Sequence, residues 1–464
     1  MLLPKRLTAF FLCFLLLMGI TGCDTESDAP TEVPPPEDTR SGTELYNAGC
    51  RPLLSAENRV MQYTFSKTRT IGSQSYTESA VGTASFSGLG TDAMVAVIDE
   101  ALTYGTVKAD HLLSFCNGTA YSRISESIFA CDISRDDFMD KQLPAALLTP
   151  GLYGTVQKSA TAEGTTIAFS NPTTLESWVP QPGARLVSVL GTATLDQAGV
   201  LTHTTYSASY TCGETNYLLE VSLRCSAPAQ LDLSALHPEH PEDCPKLTCL
   251  EAPKILLQTV GDIFTAQSIR AQATETVYSE AIPVTRLRQI AADSTGMGDS
   301  LAASLSYGVE VTDYRGQVTA SSQVYNFKDG LCTSALDGGE PKSEPGITAE
   351  VMRTSIEDTV LAALFATQYL AEAKSEEETD RCTLRFTGNE AYATDLCRDL
   401  GAYLDLNLDE NATSYHSTQA TGYLTIDKST GLPVAMGMFF TRTHVFGEVP
   451  YVLHYQLDQT LDLK

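Results

Sequence analysis

One pattern is written twice in this chain, and it is a strand pattern. Tyr217, Leu219, Val221 and Leu223 fall at alternate positions, and Tyr451, Leu453, Tyr455 and Leu457 repeat the spacing. Val434, Met436, Met438 and Phe440 alternate in the same way. Period two turns one face of a strand to a core and the other to water, the mark of an antiparallel sheet covered on one side. Just ahead of these stripes stand G-T-A-T-L-D-Q-A-G-V (Gly191 to Val200) and G-Y-L-T-I-D-K-S-T-G-L (Gly422 to Leu432), each an Asp-opened, Gly-containing hairpin turn. Earlier pairs keep the same order. Thr68-Arg69-Thr70-Ile71 matches Thr274-Glu275-Thr276-Val277, and Ser87-Gly88-Leu89-Gly90 matches Thr295-Gly296-Met297-Gly298. Leu102-Thr103-Tyr104-Gly105 matches Leu305-Ser306-Tyr307-Gly308, and Cys131 falls opposite Cys332. A shared order of weak matches reads as a tandem duplication.

Each copy also carries a helix signal. The stripe Met352, Ile356, Val360, Leu361, Leu364 and Phe365 predicts a helix over about 348–374. Ser134-Arg135-Asp136-Asp137 opens a shorter one that Pro144 and Pro150 should end. Another is expected from Lys254 to Gln267, before a strand from Ser268 to Val277. The Pro- and acid-rich stretch 226–251 reads as a connector between copies at 44–225 and 252–464.

Composition narrows the function classes. With 57 Asp+Glu against 30 Lys+Arg, the net charge of −27 repels phosphate backbones, so nucleic acid is not the expected partner. At the N-terminus Lys5 and Arg6 precede an apolar run from Leu7 to Ile20, the layout of a secretory signal over 1–22. The run ends in Ile20-Thr21-Gly22-Cys23, which resembles the bacterial lipobox; the resemblance implies a diacylglyceryl (palmitate-type) anchor on the Cys23 sulfur and an extracytoplasmic, membrane-anchored protein. An ordinary signal or an N-terminal membrane span is the competing reading. Residues 23–43 are acidic and Pro-rich and are expected to be a disordered tether.

The order of an opening helix, long antiparallel strands, an inserted helix and a final hairpin resembles the LolA-like/LppX-like half-barrel family of envelope lipoproteins. Its residues here are Ala266 to Val277 and Tyr423 to Pro433. The resemblance implies an α+β fold of two tandem half-barrels, each a long curved antiparallel sheet with helices on its concave side. It also implies an apolar cavity taking a lipid, an apolar small molecule or a lipoprotein. The alternating residues Tyr217 to Leu223, Val434 to Phe440 and Tyr451 to Leu457 named above are the cavity candidates. The family's ligand residues form no fixed motif, so none transfers.

Of the 12 cysteines, Cys13 lies in the signal and Cys23 is the anchor, leaving an even set that favours disulfides in an exported protein. Cys116 with Cys131, Cys212 with Cys225 and Cys382 with Cys397 are spaced as candidate pairs, although spacing does not establish connectivity. His237, His240, Cys244 and Cys249 could form a tetrahedral zinc site, against the plainer reading of an oxidised linker with surface histidines. No cofactor is called for. The sequence holds no H-E-x-x-H, G-x-S-x-G or Walker loop, and Asp92, Glu100 and Asp299 read as solvated acids. His203, His444 and His454 read as half-exposed strand residues. Tyr206, Tyr210, Phe439 and Phe440 suit either a cavity wall or ordinary core. A non-catalytic binding lipoprotein is the expected function. An envelope interaction or scaffold module with self-filled cavities is the alternative.

Overall fold

Asp196 and Asp427 each start a tight turn that sets the register of a long hairpin. The Asp196 amide donates to the Val200 carbonyl at 2.9 Å, and that of Asp427 to the Leu432 carbonyl at 3.0 Å. Gly199 (φ +77°) and Gly431 (φ +68°) take the left-handed conformation each turn requires. These hairpins join β9 (Arg185–Leu195) to β10 (Leu201–Cys212) and β21 (Thr421–Asp427) to β22 (Pro433–Phe446). The computed structural model describes residues 39–89, 91–142, 155–161, 164–170, 184–233, 237–281, 284–297, 300–364, 366–389, 414–417 and 420–464. Cys23, most of the expected tether, Phe365, Asp299 and Cys397 lie outside them.

The first sheet contains β1 (Asn58–Ile71), β2 (Gln74–Ser87), β3 (Val95–Tyr104), β4 (Val107–Cys116), β5 (Thr119–Ile124), β6 (Ser127–Asp132), β7 (Thr155–Thr161) and β8 (Gly164–Ser170), then β9, β10 and β11 (Thr215–Ser226). The second contains β12 (Ser268–Ser279), β13 (Thr285–Thr295), β14 (Ala302–Thr312), β15 (Val318–Lys328), β16 (Leu331–Leu336), β17 (Lys342–Ser343), β18 (Leu370–Glu377), β19 (Arg381–Gly388) and β20 (Ser414–Ser417), then β21, β22 and β23 (Val449–Leu463). Spatial order is the same in both, apart from β20, which pairs with β22 off the common path. The first strand lies between the second and the last, the chain steps outward to the sixth, and the rest step back inward from the far edge. The sixth and seventh strands are the two edges of each sheet, so neither path closes on itself. The chain is therefore two tandem antiparallel half-barrels. Helix positions also correspond: α1 (Gly42–Ser55) and α3 (Ala252–Thr265) precede the first strands, while α2 (Arg135–Gln142) and α4 (Ala349–Leu361) follow the sixth.

The helices cover the apolar faces. Leu45, Tyr46 and Leu53 of α1 and Phe138 of α2 share a core with Met61, Leu113, Leu219 and Leu223, and the Phe138 and Phe115 rings lie 4.7 Å apart. Met352, Ile356 and Val360 of α4 share the second core with Met436, Phe440, Leu453 and Leu457. No helix among the described residues is long and apolar enough to cross a membrane.

Several expectations need correcting. The helix predicted to reach 374 ends at Leu361, and Lys374 lies on β18, where a bulge between Leu370 and Glu372 turns both Leu370 and Ala373 inward. The expected tether runs into α1, because Ser41 caps that helix and exchanges hydrogen bonds with Glu44 in a capping box. Gly105 sits in a turn at φ +58°, whereas Gly308 is paired inside β14, so that pair of segments is out of register. Cys131 lies on the sixth strand of its sheet and Cys332 on the fifth, so they are not equivalent.

Two of the three expected disulfide pairs fail on register, while the third, Cys382 with Cys397, reaches outside the described residues. Cys212 faces Thr215 across a two-residue turn, while Cys225 lies ten residues farther along β11 beside Met61, about 30 Å away. Cys116 faces Thr119, which faces Asp132, so Cys131 is two strands from Cys116. That is about 10 Å, beyond disulfide reach. Cys50, Cys116, Cys131, Cys212, Cys225, Cys244, Cys249, Cys332 and Cys382 are all thiols.

Candidate functional site

The helix α3 begins with Pro253 in its first turn and has two working faces. Ala252, Leu256 and Ile263 belong to the second core, while Leu257 packs on the first. Against the first sheet the helix approaches closely. A Cβ added at Gly261 would stand 2.3 Å from the Tyr104 carbonyl oxygen, so only glycine lets the β3–β4 turn seat there. Replacing Gly261 with Leu is expected to cost about 1–3 kcal/mol through forced separation. Urea denaturation would measure the loss, and an unchanged midpoint would mean that the contact yields freely.

Polar bonds reinforce this seat. Arg69 of β1 pairs with Asp262 of α3 and donates from Nη1 to the carbonyls of Thr430 (3.1 Å) and Gly431 (2.6 Å). Tyr217 Oη donates to the Ser429 carbonyl at 2.7 Å. Burial pushes the Asp262 carboxyl up to about 6, against the pull of Arg69. The connector also joins the two sheets. Leu247 N donates to the Ala130 carbonyl on β6, and Thr248 N to the Ala373 carbonyl on β18, so two strand edges are covered by one segment.

A second polar cluster lies on the inner face of the first sheet. Ser122 Oγ is 3.0 Å from His111 Nε2, His111 Nδ1 is 2.7 Å from Glu100 Oε1, and Tyr63 Oη donates to Glu100 Oε2 at 2.7 Å. Lys254 of α3 donates to Glu100 Oε1 at 2.5 Å. The Ser–His–Glu connectivity is that of a nucleophile with its base, but the chemistry is not. Ser122 is 1% exposed. Burial, then the charge of Lys254, holds His111 down to about 4, far from a general base suited to neutral pH. Burial pushes Glu100 upward, yet the hydrogen bond from His111 and the charge of Lys254 outweigh it and hold the carboxylate well below its usual range. This cluster fastens a helix to a sheet. Glu100 is thus buried, not a solvated acid, while Asp92 is exposed.

The twelve cavity candidates divide simply. Tyr217, Leu219, Val221, Leu223, Met436, Met438, Phe440, Tyr451, Leu453 and Leu457 are buried, and Val434 and Tyr455 are half-buried. Tyr206, Tyr210 and Phe440 are core residues, and His444 is fully buried rather than half-exposed. Phe439 is 38% exposed on the opposite face. Inside the second half-barrel, Gln459 stands between Ala273 and Met436, 2% exposed, with neither Nε2 nor Oε1 bonded. Glu275 Oε1 on the adjoining strand is also without a partner, and burial pushes its carboxyl up. No sequence signal marked these two residues, since polar side chains on a strand read as outward-facing.

The proposed zinc ligands are not brought together. His237, His240 and Cys244 line one groove of about 710 Å³, but Cys249 is buried elsewhere with its Sγ toward Glu251. His240, Glu242 and Asp243 have ligand atoms within 4.8 Å of one another, and all three are exposed. A larger groove, about 830 Å³, opens on the second sheet between the connector and β19, β21, β22 and β23.

No family model and no curated protein matches the sequence. Among solved structures, the chain is similar to LprF from Mycobacterium bovis at 14% identity, covering 46% of this chain and 92% of that one, with a TM-score of 0.25. It is similar to a DUF1329 family protein from Desulfovibrio piger at 8% identity, covering 42% and 95%, with a TM-score of 0.19. A third is the MucA/MucB complex of Pseudomonas aeruginosa, at 12% identity over 67% and 96%, with a TM-score of 0.17.

Proposed function

We propose that this chain is a non-catalytic extracytoplasmic lipoprotein, duplicated in tandem and anchored through Cys23, whose second half-barrel takes an apolar ligand such as a lipid or acyl chain. Anchoring rests on the apolar run ending in Ile20-Thr21-Gly22-Cys23. The observation that carries the ligand reading is Gln459. A buried amide with no partner costs about 1–3 kcal/mol, and an amphiphile bringing a hydroxyl or carbonyl beside its alkyl chain would recover that loss. Met436 and Met438 border the same interior and adapt to irregular alkyl shapes.

Solvent extraction of the gently purified mature protein, followed by mass spectrometry, is the test, because a covalent anchor stays with the polypeptide. Extractable lipid is expected, in about stoichiometric amount. In stripped protein, Gln459→Leu is expected to raise stability by about 1–3 kcal/mol, since the orphaned amide is gone, and to reduce lipid retention. A scaffold with self-filled interiors is the second reading, favoured by α3, whose two faces are both occupied. It predicts the same stabilisation with no lipid in the wild type.

A further inference from the structure

The 830 Å³ groove is lined chiefly by outward-facing residues of the second sheet, with the core residues Met438, Ala373 and Phe386 beneath them, and Gln459 of the proposed lipid site does not line it. Its floor is aromatic. Tyr423 of β21 faces Gly437 of β22, and a Cβ there would meet Tyr423 Cε1 at 2.6 Å. The Tyr423 hydroxyl reaches across to donate to Asp458 Oδ1 at 3.0 Å. Glycine at 437 therefore lets the ring lie along the sheet, one face down and the other toward the groove. Phe439 continues the strip, with its ring 6.2 Å from His454, which stacks on Tyr278 at 4.7 Å.

Polar groups stand beside these rings. Gln456 Nε2 donates to Asp458 Oδ2 at 2.6 Å, so both carboxylate oxygens are oriented and each keeps a lone pair for another donor. Arg385 lines the same groove, with Nε committed to Glu376 at 2.7 Å. Lys246, Lys374 and Arg385 nearly balance Glu372 and Asp458. In a chain of net charge −27, that local neutrality sets the groove apart.

We infer that this groove binds a glycan chain, with the apolar face of a sugar ring on Tyr423 and its hydroxyls on Asp458 and Gln456. Flat rings flanked by oriented planar polar groups match a pyranose, which presents C–H groups on its face and hydroxyls at its rim. An alkyl chain would leave the charged rim without partners. A peptide added as a strand would find little edge to pair with, because β21, β22 and β23 are paired on both sides and on the edge strand β18 the Ala373 carbonyl already accepts from Thr248 N and Cys249 N of the connector.

The test titrates the full mature protein in detergent with cellohexaose, chitohexaose and hexagalacturonate, read by saturation-transfer NMR and calorimetry. At least one is expected to bind. Tyr423→Ala should weaken it by about tenfold or more, Tyr423→Phe should keep most of the binding, and Tyr314→Ala, exposed on a distant hairpin, should change nothing. Melting curves verify that each variant folds. Silence from all three glycans, or wild-type binding by a folded Tyr423→Ala protein, overturns the inference.

Discussion

Replacing Asp262 with alanine is expected to destabilise the protein by about 3–5 kcal/mol, because it strands a buried guanidinium. Arg69 has only 4% of its side chain exposed and lies over the Tyr76 ring, with its centre 5.5 Å from the ring centroid. Its remaining bonds go to the Thr430 and Gly431 carbonyls, which cannot replace a carboxylate. The loss should be structural as well as energetic. Arg69 belongs to the first half-barrel, while Asp262, Thr430 and Gly431 belong to the second. Urea unfolding followed by circular dichroism should show one transition for the wild type and a lower, broader or divided one for Asp262→Ala. The double variant Arg69→Met with Asp262→Leu should recover much of the loss, since exchanging a whole buried pair for apolar residues is often neutral. A single variant within about 1 kcal/mol of wild type would show that the pair contributes no more than an exposed one.

The same helix shows what the sequence could and could not disclose. The alternating stripes and the turns at Asp196 and Asp427 are local, so period and turn chemistry found them; the fold class follows from such features. Lys254, Gly261 and Asp262 carry no local mark that separates them from the solvated positions of the expected helix. Their partners Glu100, Tyr104 and Arg69 lie more than a hundred residues earlier in the chain. A polar residue whose partner is that remote has the same local pattern as a solvated one. Glu100 reads as solvated for this reason, and Cys116 with Cys131 and Cys212 with Cys225 read as pairs because short sequence spacing conceals strand register. Tyr423 and Gly437 were equally silent: a glycine that makes room for a ring differs from any other strand glycine only once the neighbouring strand is in place.

The pH dependence of stability should expose two buried groups working in opposite directions. His111, surrounded by Glu100, Lys254, Asp99 and Tyr63, titrates at about 4 in the folded protein against its ordinary value of 6.5. The unfolded chain therefore binds this proton first, and the stability His111 contributes is lost as pH falls from 6.5 towards 4. Asp262, near Arg69, Glu78 and Lys67, titrates at about 6 against an ordinary 3.8. Here the folded chain binds the proton first, so its contribution is present at low pH and lost as pH rises through 6. Each shift corresponds to about 3 kcal/mol across its window. Between pH 4 and 6 the two slopes largely cancel in the wild type, and removing one unmasks the other. Relative to wild type, Asp262→Asn should lose stability on acidification across this range, while His111→Gln should gain it. Glu100 keeps Lys254 and Tyr63 in both variants, but in His111→Gln it also loses the imidazole hydrogen bond, so its carboxyl rises in that variant alone. Urea midpoints at half-unit pH steps measure the differences. If the two variants show parallel profiles, neither proton is bound where the geometry places it.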